Sequence, residues 1–414
     1  MSQSPYGTIQ LPGSKSESNR ALMMAAYGGF PLEVDNLSEA YDTVLLKTLL
    51  EQQCAVALPN EVVVDCKDGG TVARFLMTYL AGKPGNWLLT GTRRLCQRPM
   101  APLVDALRQL GADITCIESP GCLPARIHGK HLEGGCAELD ISLSSQFASS
   151  LLLAAPTWEK GLQLSMKGNP VSEPYLAMTV EMMRHFGIHV DVQDSNITID
   201  AQQYQPRRFS VEADWSAASY WYEMMALGKG GSLLLKGLAP KSIQGDSVVA
   251  EMFRKLGVDT QFVTEGALVS KTGNAPSYSK EPVVFDFHST PDLFPSVFVT
   301  CVALNHYAVF KGIATLSKKE SDRINSLITE LYSIYTFINI VSYDEVVIYN
   351  SSINVNAFDI NKIVFNTYQD HRIAMSVAAL QPLFGRLTMD DPSVVNKSYP
   401  TFWEEFNKAV LFIK

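Results

Sequence analysis

The sequence has no excess of basic residues. Its 414 residues include 34 lysines and arginines against 42 aspartates and glutamates, which gives a formal net charge of -8. Proteins that bind nucleic acid rely on lysine and arginine contacts to phosphates, and no run of basic residues concentrates positive charge here. We therefore predict no nucleic-acid partner.

Paired cysteines are also missing. The seven cysteines are odd in number, scattered, and never spaced as C-x-x-C, a pattern that favours reduced thiols over disulfides or a zinc site. His128, His131 and Cys136 lie close together in sequence, but no fourth ligand follows at a usual spacing. We expect no metal there.

Long apolar runs are absent as well. The first ten residues, MSQSPYGTIQ, lack the charged start and apolar stretch of a signal peptide, and no run approaches the length of a membrane span. The 46% of hydrophobic residues still suffice for burial, and 414 residues exceed one ordinary core. We expect a cytoplasmic protein of two or more domains with no membrane partner.

One phrase occurs three times in the chain: LRQLGADI from Leu107, MRHFGIHV from Met183 and FRKLGVDT from Phe253. Each phrase ends an amphipathic run, continues with a glycine and then alternates apolar residues, which predicts a helix, a left-handed glycine cap and a strand. Weaker copies without the glycine are VLLKTLLEQQCAVALPNEVVVDC and LITELYSIYTFINIVSYDEVVIYN. A sixth copy could begin at FWEEFNKAVLFIK and would need the N-terminal strand YGTIQLPG to complete it.

The spacing of these copies indicates the architecture. About seventy residues is too long for a solenoid repeat and fits a βαβαββ unit. Six such units predict an α/β protein of two globular domains, each of three βαβαββ repeats. We expect one domain at 13–212 and the other at 1–12 and 213–414, with crossings at Pro12-Gly13 and near Glu212-Ala213-Asp214. The alternative is that the phrase reflects only the way helices and strands commonly join.

A basic and polar cluster stands near the N-terminus. The stretch LPGSKSESNR places Lys15 between two serines, with Arg20 one turn later and Ser16 or Ser18 as a candidate helix cap. It is not a Walker loop, because Lys15 follows Ser14 instead of glycine and position 12 is proline.

Three further segments have a similar composition at a predicted helix start. They are DGGTVARF with Gly69, Gly70, Thr71 and Arg74, QRPM with Arg98, and LSSQFASSLLL with Ser144, Ser145 and Gln146. Backbone N–H groups at a helix N-terminus favour anions. A plain structural role explains each segment equally well when it is taken alone.

The C-terminal half carries most of the clustered ionisable groups. They are Asp292 in TPDLFP, then Lys318, Lys319, Glu320, Asp322 and Arg323 in KKESDR, Asp370, His371 and Arg372 in YQDHR, and Lys397 in NKSYP. An acidic protein that gathers basic residues at helix starts is expected to bind a small polyanion. For KKESDR alone, a solvated helix face is the alternative.

The motifs together resemble one family along nearly the full chain. In order they are LPGSKSESNRAL, GGTVARF, QRPMAPLVDALRQLGA, SSQFASSLLLAAP, VSEPY, PDLFP, KESDR, DHRIAMSVAAL and NKSYPTFWEEF, and they resemble the 5-enolpyruvylshikimate-3-phosphate synthase family. The resemblance implies the two-domain enolpyruvyl transferase fold, an inside-out α/β barrel, with the active site in the cleft between the domains. It also implies a monomer that transfers the enolpyruvyl group of phosphoenolpyruvate to the 5-hydroxyl of shikimate 3-phosphate and releases phosphate, without a metal or organic cofactor.

The resemblance further assigns roles to single residues. Contacts to shikimate 3-phosphate fall to Lys15, Ser16, Arg20, Ser144, Ser145, Gln146, Ser172 and Lys319, and contacts to phosphoenolpyruvate to Lys15, Gly70, Arg98, Arg323, Arg372 and Lys397. Asp292 would hold the shikimate hydroxyl and accept its proton, and Glu320 would protonate the methylene carbon. Two carboxylates in different environments suit this chemistry, because attack on an enol phosphate needs both a base and an acid.

Some positions depart from the family pattern. Asp68 stands where the family usually has asparagine, so it places a negative charge near the phosphoenolpyruvate site. Thr315 replaces an asparagine of many members, and Ser317 and Lys318 replace an arginine and an apolar residue. The segment 331–365 lacks the glycine cap and aligns poorly, so we expect a distorted fifth repeat.

Two alternatives to this function remain. UDP-N-acetylglucosamine enolpyruvyl transferase shares the fold and the donor, but has Lys-Asn where this chain has Lys15-Ser16, and its loop cysteine has no clear counterpart here. A relative that only binds anions is the other alternative. The presence of both the candidate base and the candidate acid argues against it.

Overall fold

The computed structural model describes residues 5–54, 60–168, 171–272, 281–336, 339–342, 344–349, 351–353 and 362–411. The chain forms two compact units. The first unit is Ser14–Val211, and the second unit is Met1–Gly13 together with Glu212–Lys414. The sequence-based boundaries, 13–212 and 1–12 with 213–414, differ from these by one residue at each crossing.

Strands and helices alternate along both units. The strands are β1 (Tyr6–Gln10), β2 (Val34–Asp35), β3 (Val62–Asp65), β4 (Gly85–Thr90), β5 (Asp113–Cys116), β6 (Ala125–Gly129), β7 (Gly135–Asp140), β8 (Leu162–Lys167), β9 (Asp191–Gln193), β10 (Asn196–Ile199), β11 (Phe209–Ser210), β12 (Ser232–Lys236), β13 (Val258–Val263), β14 (Gly266–Lys271), β15 (Val283–Asp286), β16 (Ala308–Lys311), β17 (Tyr335–Thr336), β18 (Asn339–Ser342), β19 (Glu345–Ile348), β20 (Ser352–Ile353), β21 (Val364–Phe365) and β22 (Thr388–Met389). The α-helices are α1 (Lys15–Gly28), α2 (Tyr41–Thr48), α3 (Gly70–Ala81), α4 (Arg93–Cys96), α5 (Ala101–Gln109), α6 (Ser145–Ala154), α7 (Glu173–His185), α8 (Trp215–Leu227), α9 (Val249–Arg254), α10 (Phe294–Ala303), α11 (Arg323–Tyr332), α12 (His371–Ala378), α13 (Gln381–Phe384) and α14 (Phe402–Leu411).

Four sheets share one topology, which is that of the predicted βαβαββ repeat. Their strand orders are β3-β4-β6-β5 and β7-β8-β10-β9 in the first unit, and β1-β12-β14-β13 and β15-β16-β19-β18 in the second. In each sheet the first two strands are parallel and the remaining pairs are antiparallel. None of the described sheets closes on itself. The prediction of a two-domain α/β fold built from repeats is confirmed.

The remaining repeat of each unit has a shorter parallel pair among the described residues, β11-β2 in the first unit and β21-β22 in the second. In chain order β1 precedes α1 and β11 precedes α8. By pairing, however, β1 lies beside β12, which is the strand that follows α8. In the same way β11 lies beside β2, which is the strand that follows α1. The chain therefore exchanges first strands where it crosses, and a bridge joins Gly13 to Ala213 at that point.

The glycine caps predicted from the repeated phrase are confirmed. Gly111, Gly187 and Gly257 follow helices α5, α7 and α9 with φ of 89°, 86° and 83°. Glycine tolerates this left-handed backbone because it has no Cβ atom, so each helix can end and a strand can follow within a few residues. The copy without glycine in the first unit behaves differently, since α2 continues through a π-helical segment at Leu49–Gln53.

The expectation for the sixth copy needs correction. The sixth copy does not take β1 into its own sheet, because β1 pairs with β12; instead α14 packs against β1, where Gln10 N donates to Glu405 Oε2 at 3.0 Å. The fifth copy keeps the common strand order but has a register shift between Ile340 and Ser342 and an added pair, β17-β20. Parts of 331–365 lie outside the described residues.

Each unit has its own hydrophobic core, and its central helices are buried on nearly all sides. Helices α1, α3 and α6 pack together in the first unit, and α8, α10 and α12 pack together in the second. Every residue of α8 except Ser216 is buried, whereas β7 alternates between buried and exposed residues. Each sheet thus packs against the helices through one of its faces and leaves the other face exposed. Among the described residues, no helix combines the length and the apolar character needed to cross a bilayer.

Candidate active site

The polar motifs of the first unit lie at the N-termini of its three central helices. Helices α1, α3 and α6 begin at Lys15, Gly70 and Ser145. The first turn of an α-helix leaves N–H groups without intrahelical acceptors, so each start favours an anion. The cap of α1 is Ser14, which accepts from Glu17 N at 3.4 Å. The candidates Ser16 and Ser18 lie inside the helix instead.

Two guanidinium groups approach the start of α3. A Cβ atom added to Gly70 would lie 2.6 Å from Arg98 Nη1 and 2.9 Å from Arg74 Nη1. Both arginines are buried, at 8% and 5% exposure. Glycine at position 70 therefore leaves the room that the two cations need beside the helix N-terminus, and the combination suits a small anion.

Arg74 also links α3 to α6. Its Nη1 donates to Gln146 Oε1 at 2.8 Å, and its guanidinium lies 5.4 Å from the centre of the Phe147 ring. Ser144 caps α6 by accepting from Gln146 N at 3.2 Å. Of the predicted residues Ser144, Ser145 and Gln146, Gln146 therefore contacts Arg74, and the two serines directly precede it at the start of α6.

Lys15 is held by a carboxylate that the sequence analysis did not single out. Its Nζ lies 3.1 Å from Asp42 Oδ2, and Asp42 is buried in α2. The lysine side chain is 16% exposed. The ion pair fixes the position of the ammonium at the start of α1.

Arg20 has a larger structural role than predicted. It is 1% exposed, and burial lowers its pKa to about 10, so it remains a cation at neutral pH. Its N–H groups donate to Thr179 Oγ1, Ser16 O, Ser149 Oγ and Tyr175 O. These bonds join α1 to α6 and α7 and use four of the five guanidinium N–H groups, leaving one on Nη1.

Ser172 stands at the start of α7 in the left-handed backbone region, with φ of 57°. Its side chain does not cap the helix. The same turn provides Tyr175 O, which accepts from Arg20 Nη2 at 3.0 Å. Ser172 is therefore close in sequence to an atom that Arg20 binds, and its predicted ligand contact stays a prediction.

In the second unit, one arginine joins three carboxylates. Arg323 donates from Nη1 to Asp292 Oδ1 at 2.8 Å, from Nη2 to Glu320 Oε2 at 2.9 Å, and from Nε to Asp370 Oδ2 at 2.9 Å. Arg323 is 1% exposed. Burial lowers the pKa of its guanidinium, but the three carboxylates outweigh burial and raise the pKa above the ordinary value.

Asp292 bridges two guanidinium groups. Besides Arg323 it accepts from Arg372 Nη2 at 2.8 Å, through Oδ2. Burial raises the pKa of this carboxyl, but Arg372, Lys319 and Arg323 together outweigh burial and hold the pKa well below its ordinary value. Asp292 is thus ionised at neutral pH, which is the state a base requires.

Glu320 lies between two cations. Its Oε2 accepts from Arg323, and its Oε1 is 4.0 Å from Lys397 Nζ. Asp292 and Glu320 therefore contact different nitrogens of the same guanidinium. Both cations therefore face the carboxyl group of Glu320.

The start of α12 is organised by Asp370. This buried carboxylate caps the helix by accepting from Arg372 N at 3.0 Å, and Ser321 Oγ donates to it at 3.0 Å. Arg372 Nη1 also donates to Tyr220 OH at 3.3 Å. The structure thus brings together the predicted residues Asp292, Glu320, Arg323, Arg372 and Lys397, and Lys319 acts on Asp292 electrostatically.

Asp246 is a further acid at this cluster that sequence reasoning missed. It is 3% exposed and accepts from the Ser216 hydroxyl. Burial and the charge of Asp292 raise the pKa of Asp246 to about 7, against the lowering effects of Ser216 and Arg372. Nothing in the segment SIQGDS distinguishes this aspartate from one in an ordinary turn.

The departures from the family pattern have local partners. The Thr92 hydroxyl donates to Asp68 Oδ1, and Thr92 also caps α4 by accepting from Leu95 N at 3.4 Å. Thr315 and Ser317 lie in a 3-10 helix, where Ser317 Oγ donates to Ala314 O at 3.3 Å. Asp68 is exposed next to Gly69 and Gly70, in keeping with the expected negative charge near that helix start.

Fold and site together define an α/β protein of two repeat-built units, each with clustered cations at the N-termini of its central helices. The family model for EPSP synthase (3-phosphoshikimate 1-carboxyvinyltransferase) matches residues 2–406. The chain belongs to this family.

Curated relatives agree with this assignment. A 3-phosphoshikimate 1-carboxyvinyltransferase of Bacteroides fragilis is 40% identical, with 98% of this chain and 96% of the relative covered. One of Methanospirillum hungatei is 32% identical, with 96% and 94% covered. The solved structure of EPSP synthase from Acinetobacter baumannii has the same fold, with a TM-score of 0.74 at 22% identity over 99% of this chain and 96% of that one.

Proposed function

We propose that this chain transfers the enolpyruvyl group of phosphoenolpyruvate to the 5-hydroxyl of shikimate 3-phosphate and releases phosphate. Family membership supports the reaction. The observation that carries the mechanism is the bridging of Asp292 and Glu320 by the single guanidinium of Arg323. A base and an acid are thereby held within reach of one small substrate.

The two carboxylates suit the two ends of the enol. The 5-oxygen attacks C2 of phosphoenolpyruvate while its proton passes to Asp292, and Glu320 gives a proton to C3. The resulting tetrahedral intermediate then loses phosphate by breaking the bond between C2 and the phosphate oxygen, and the proton held by Asp292 leaves with the phosphate. One C3 proton returns to Glu320 so that the double bond re-forms. The cations stabilise the negative charge of the intermediate throughout.

Substrate binding should prepare both groups. Arg372, Lys319 and Arg323 hold the pKa of Asp292 so low that it is a weak base in the ligand-free protein. Substrate phosphates and carboxylates would offset these cations, which raises the basicity of Asp292 and favours protonation of Glu320.

We propose further that the clusters of both units serve one pair of substrates. Phosphoenolpyruvate and shikimate 3-phosphate each carry a phosphate and a carboxylate, so they repel one another unless cations surround them. Contacts to phosphoenolpyruvate fall to Lys15, Gly70, Arg98, Arg323, Arg372 and Lys397. Contacts to shikimate 3-phosphate fall to Lys15, Ser16, Arg20, Ser144, Ser145, Gln146, Ser172, Asp292 and Lys319.

Release of inorganic phosphate tests this function. The purified protein should release phosphate only when both substrates are present, and not when UDP-N-acetylglucosamine replaces shikimate 3-phosphate. Binding of shikimate 3-phosphate without phosphate release would favour a protein that only binds anions. Release with the nucleotide sugar would favour the other enolpyruvyl transferase.

We also propose that the enzyme works as a monomer in the cytoplasm. All the residues assigned above come from one chain, so a second copy is not required to complete them. Light scattering at assay concentration should give the mass of one chain, 45.6 kDa.

Replacing Lys15 by methionine should impair both substrates. The variant removes a charge-assisted contact and leaves Asp42 buried without its lysine, so we expect KM to rise about tenfold or more for each substrate and kcat to fall. Steady-state kinetics measure this. Lys47→Met is the matched control, because Lys47 is a half-exposed lysine of α2 in the same unit, 4.0 Å from Glu51. Unchanged kinetics of Lys15→Met would remove Lys15 from the site.

Asp246 predicts a pH dependence of phosphoenolpyruvate binding. Below about pH 7 its carboxyl is protonated and neutral, and above that pH it ionises close to Arg372 and Asp292. The added negative charge repels an anion, so KM for phosphoenolpyruvate should rise as the pH increases from 6 to 8, by about threefold to tenfold. Titration of the substrate itself changes KM equally in the wild type and in every variant, so it does not affect their comparison.

Asp246→Asn is the comparison for that prediction. Asparagine keeps an oxygen for the Ser216 hydroxyl but carries no charge, so its KM should change less over this range. Asp259→Asn, at an exposed aspartate of β13, should retain the wild-type profile. Identical profiles for wild type and Asp246→Asn would show that this carboxyl does not affect the site.

A further inference from the structure

The turn that leads into α12 has an unfavourable backbone. Tyr368 and Gln369, directly before Asp370, both lie in the left-handed region, with φ of 54° and 55°. Side chains with a Cβ atom disfavour this conformation, and two in succession persist only when surrounding contacts hold them. Asp370 and Arg372 follow at once, so the position of Arg372 depends on this turn.

Glu330 holds that turn from α11. Its Oε2 accepts from Asn366 N at 2.9 Å, and its Oε1 accepts from Asn366 Nδ2 at 3.2 Å and from Tyr368 OH at 2.6 Å. Glu330 is 4% exposed. In the described part of the chain, no lysine or arginine forms an ion pair with it, so neutral donors of the turn satisfy a buried carboxylate.

The same helix controls both sides of the turn. Arg323, the first residue of α11, binds Asp370, and Glu330 near the end of α11 binds Asn366 and Tyr368. A second carboxylate assists in the middle, because Thr367 N donates to Asp390 Oδ1 at 2.8 Å. Of Glu330 and Asp390, only Glu330 lies on the same helix as Arg323.

We propose that Glu330 is a positioning residue for Arg372. It acts through the turn 366–369, which contains the two left-handed residues Tyr368 and Gln369. It touches neither substrate nor the reacting carboxylates. Since Arg372 is assigned to phosphoenolpyruvate, the inference rests on the proposed function. Loss of the Glu330 contacts should let Arg372 shift, which weakens the phosphoenolpyruvate contact and leaves the shikimate 3-phosphate residues of the first unit intact.

The test compares the KM values of the two substrates. Glu330→Gln places an NH2 group against donors of the turn, and Tyr368→Phe removes the 2.6 Å bond to Glu330 together with the hydroxyl's hydrogen bond with Thr329. We expect KM for phosphoenolpyruvate to rise about tenfold in Glu330→Gln and about threefold in Tyr368→Phe. KM for shikimate 3-phosphate should change by less than about twofold in both.

Glu405→Gln is the matched control. Glu405 is also a buried carboxylate of the second unit that accepts from a backbone N–H, that of Gln10, but it lies on α14. It should lower the melting temperature without a selective rise in KM for phosphoenolpyruvate.

The outcomes separate the inference from the function. Equal changes in both KM values, the same pattern in Glu405→Gln, or unchanged kinetics in Tyr368→Phe and Glu330→Gln would overturn the positioning role while wild-type turnover stands. If Glu330→Gln does not fold, Tyr368→Phe decides alone. Absence of phosphate release by the wild type would overturn the proposed function and this inference together.

Discussion

Arg323→Ala is expected to lower the free energy of unfolding by about 3–5 kcal/mol. The reason is the burial of this guanidinium, 1% exposed, against the carboxylates of Asp292, Glu320 and Asp370. Removing it leaves negative charges close together and partly desolvated, which costs more than the lost contacts themselves. Urea denaturation at pH 7 measures the change through the midpoint at constant m value.

The control for this prediction is Arg184→Ala. Arg184 pairs with Glu181 at 2.7 Å, but the two side chains are about half exposed, so its removal should cost less than about 1 kcal/mol. Lowering the pH should narrow the difference between Arg323→Ala and wild type, because protonation relieves the uncompensated carboxylates. A loss below about 1 kcal/mol for Arg323→Ala would mean that the cluster contributes nothing beyond a surface ion pair.

Local patterns made much of the fold predictable. The three phrases that contain Gly111, Gly187 and Gly257 each form the predicted helix end and glycine cap; β5 and β13 begin inside their phrases, and β9 begins one residue after its phrase. The exchange of β1 and β11 between repeats was harder to predict. It depends on pairing between strands about two hundred residues apart, which no short pattern in either strand specifies.

The candidate site likewise contains some residues that the sequence predicts and others that it does not. Gly70, Lys15 and the residues of KESDR stand in motifs whose composition already indicates anion chemistry. Asp42 and Asp246 are single acids in unremarkable contexts, and only the folded chain places them beside Lys15 and Asp292. Such residues cannot be predicted from the sequence, because it does not give the distance between segments that are far apart along the chain.

Arg20 shows the opposite case, in which a motif residue serves the fold as well. Its spacing from Lys15 predicts a cation on the next turn of α1. Its burial against α6 and α7 depends on Thr179 and Ser149, which are far away in sequence. A charge at helical spacing can thus be identified from the sequence, but its partners cannot.

Asp292→Asn should lower kcat at least about a hundredfold, the effect expected for loss of a proton-transfer group. Asparagine retains the shape and one oxygen acceptor, so it can keep one of the two guanidinium contacts at 2.8 Å, but it cannot take the hydroxyl proton. Single-turnover phosphate release at saturating substrates measures the chemical step. Turnover of the variant should rise with pH as hydroxide replaces the missing base, whereas Glu320→Gln, which lacks the acid, should show no such recovery.

Asp286→Asn provides the matched control, because Asp286 ends β15 six residues before Asp292 and is exposed to solvent. It should turn over at the wild-type rate. A second readout follows from the roles of the two carboxylates: in deuterated water, wild type should place deuterium on C3 of the product, because Glu320 delivers a solvent-derived proton there. Near-normal kcat in Asp292→Asn, or undiminished C3 labelling in Glu320→Gln, would reassign the base or the acid to another residue of the cluster.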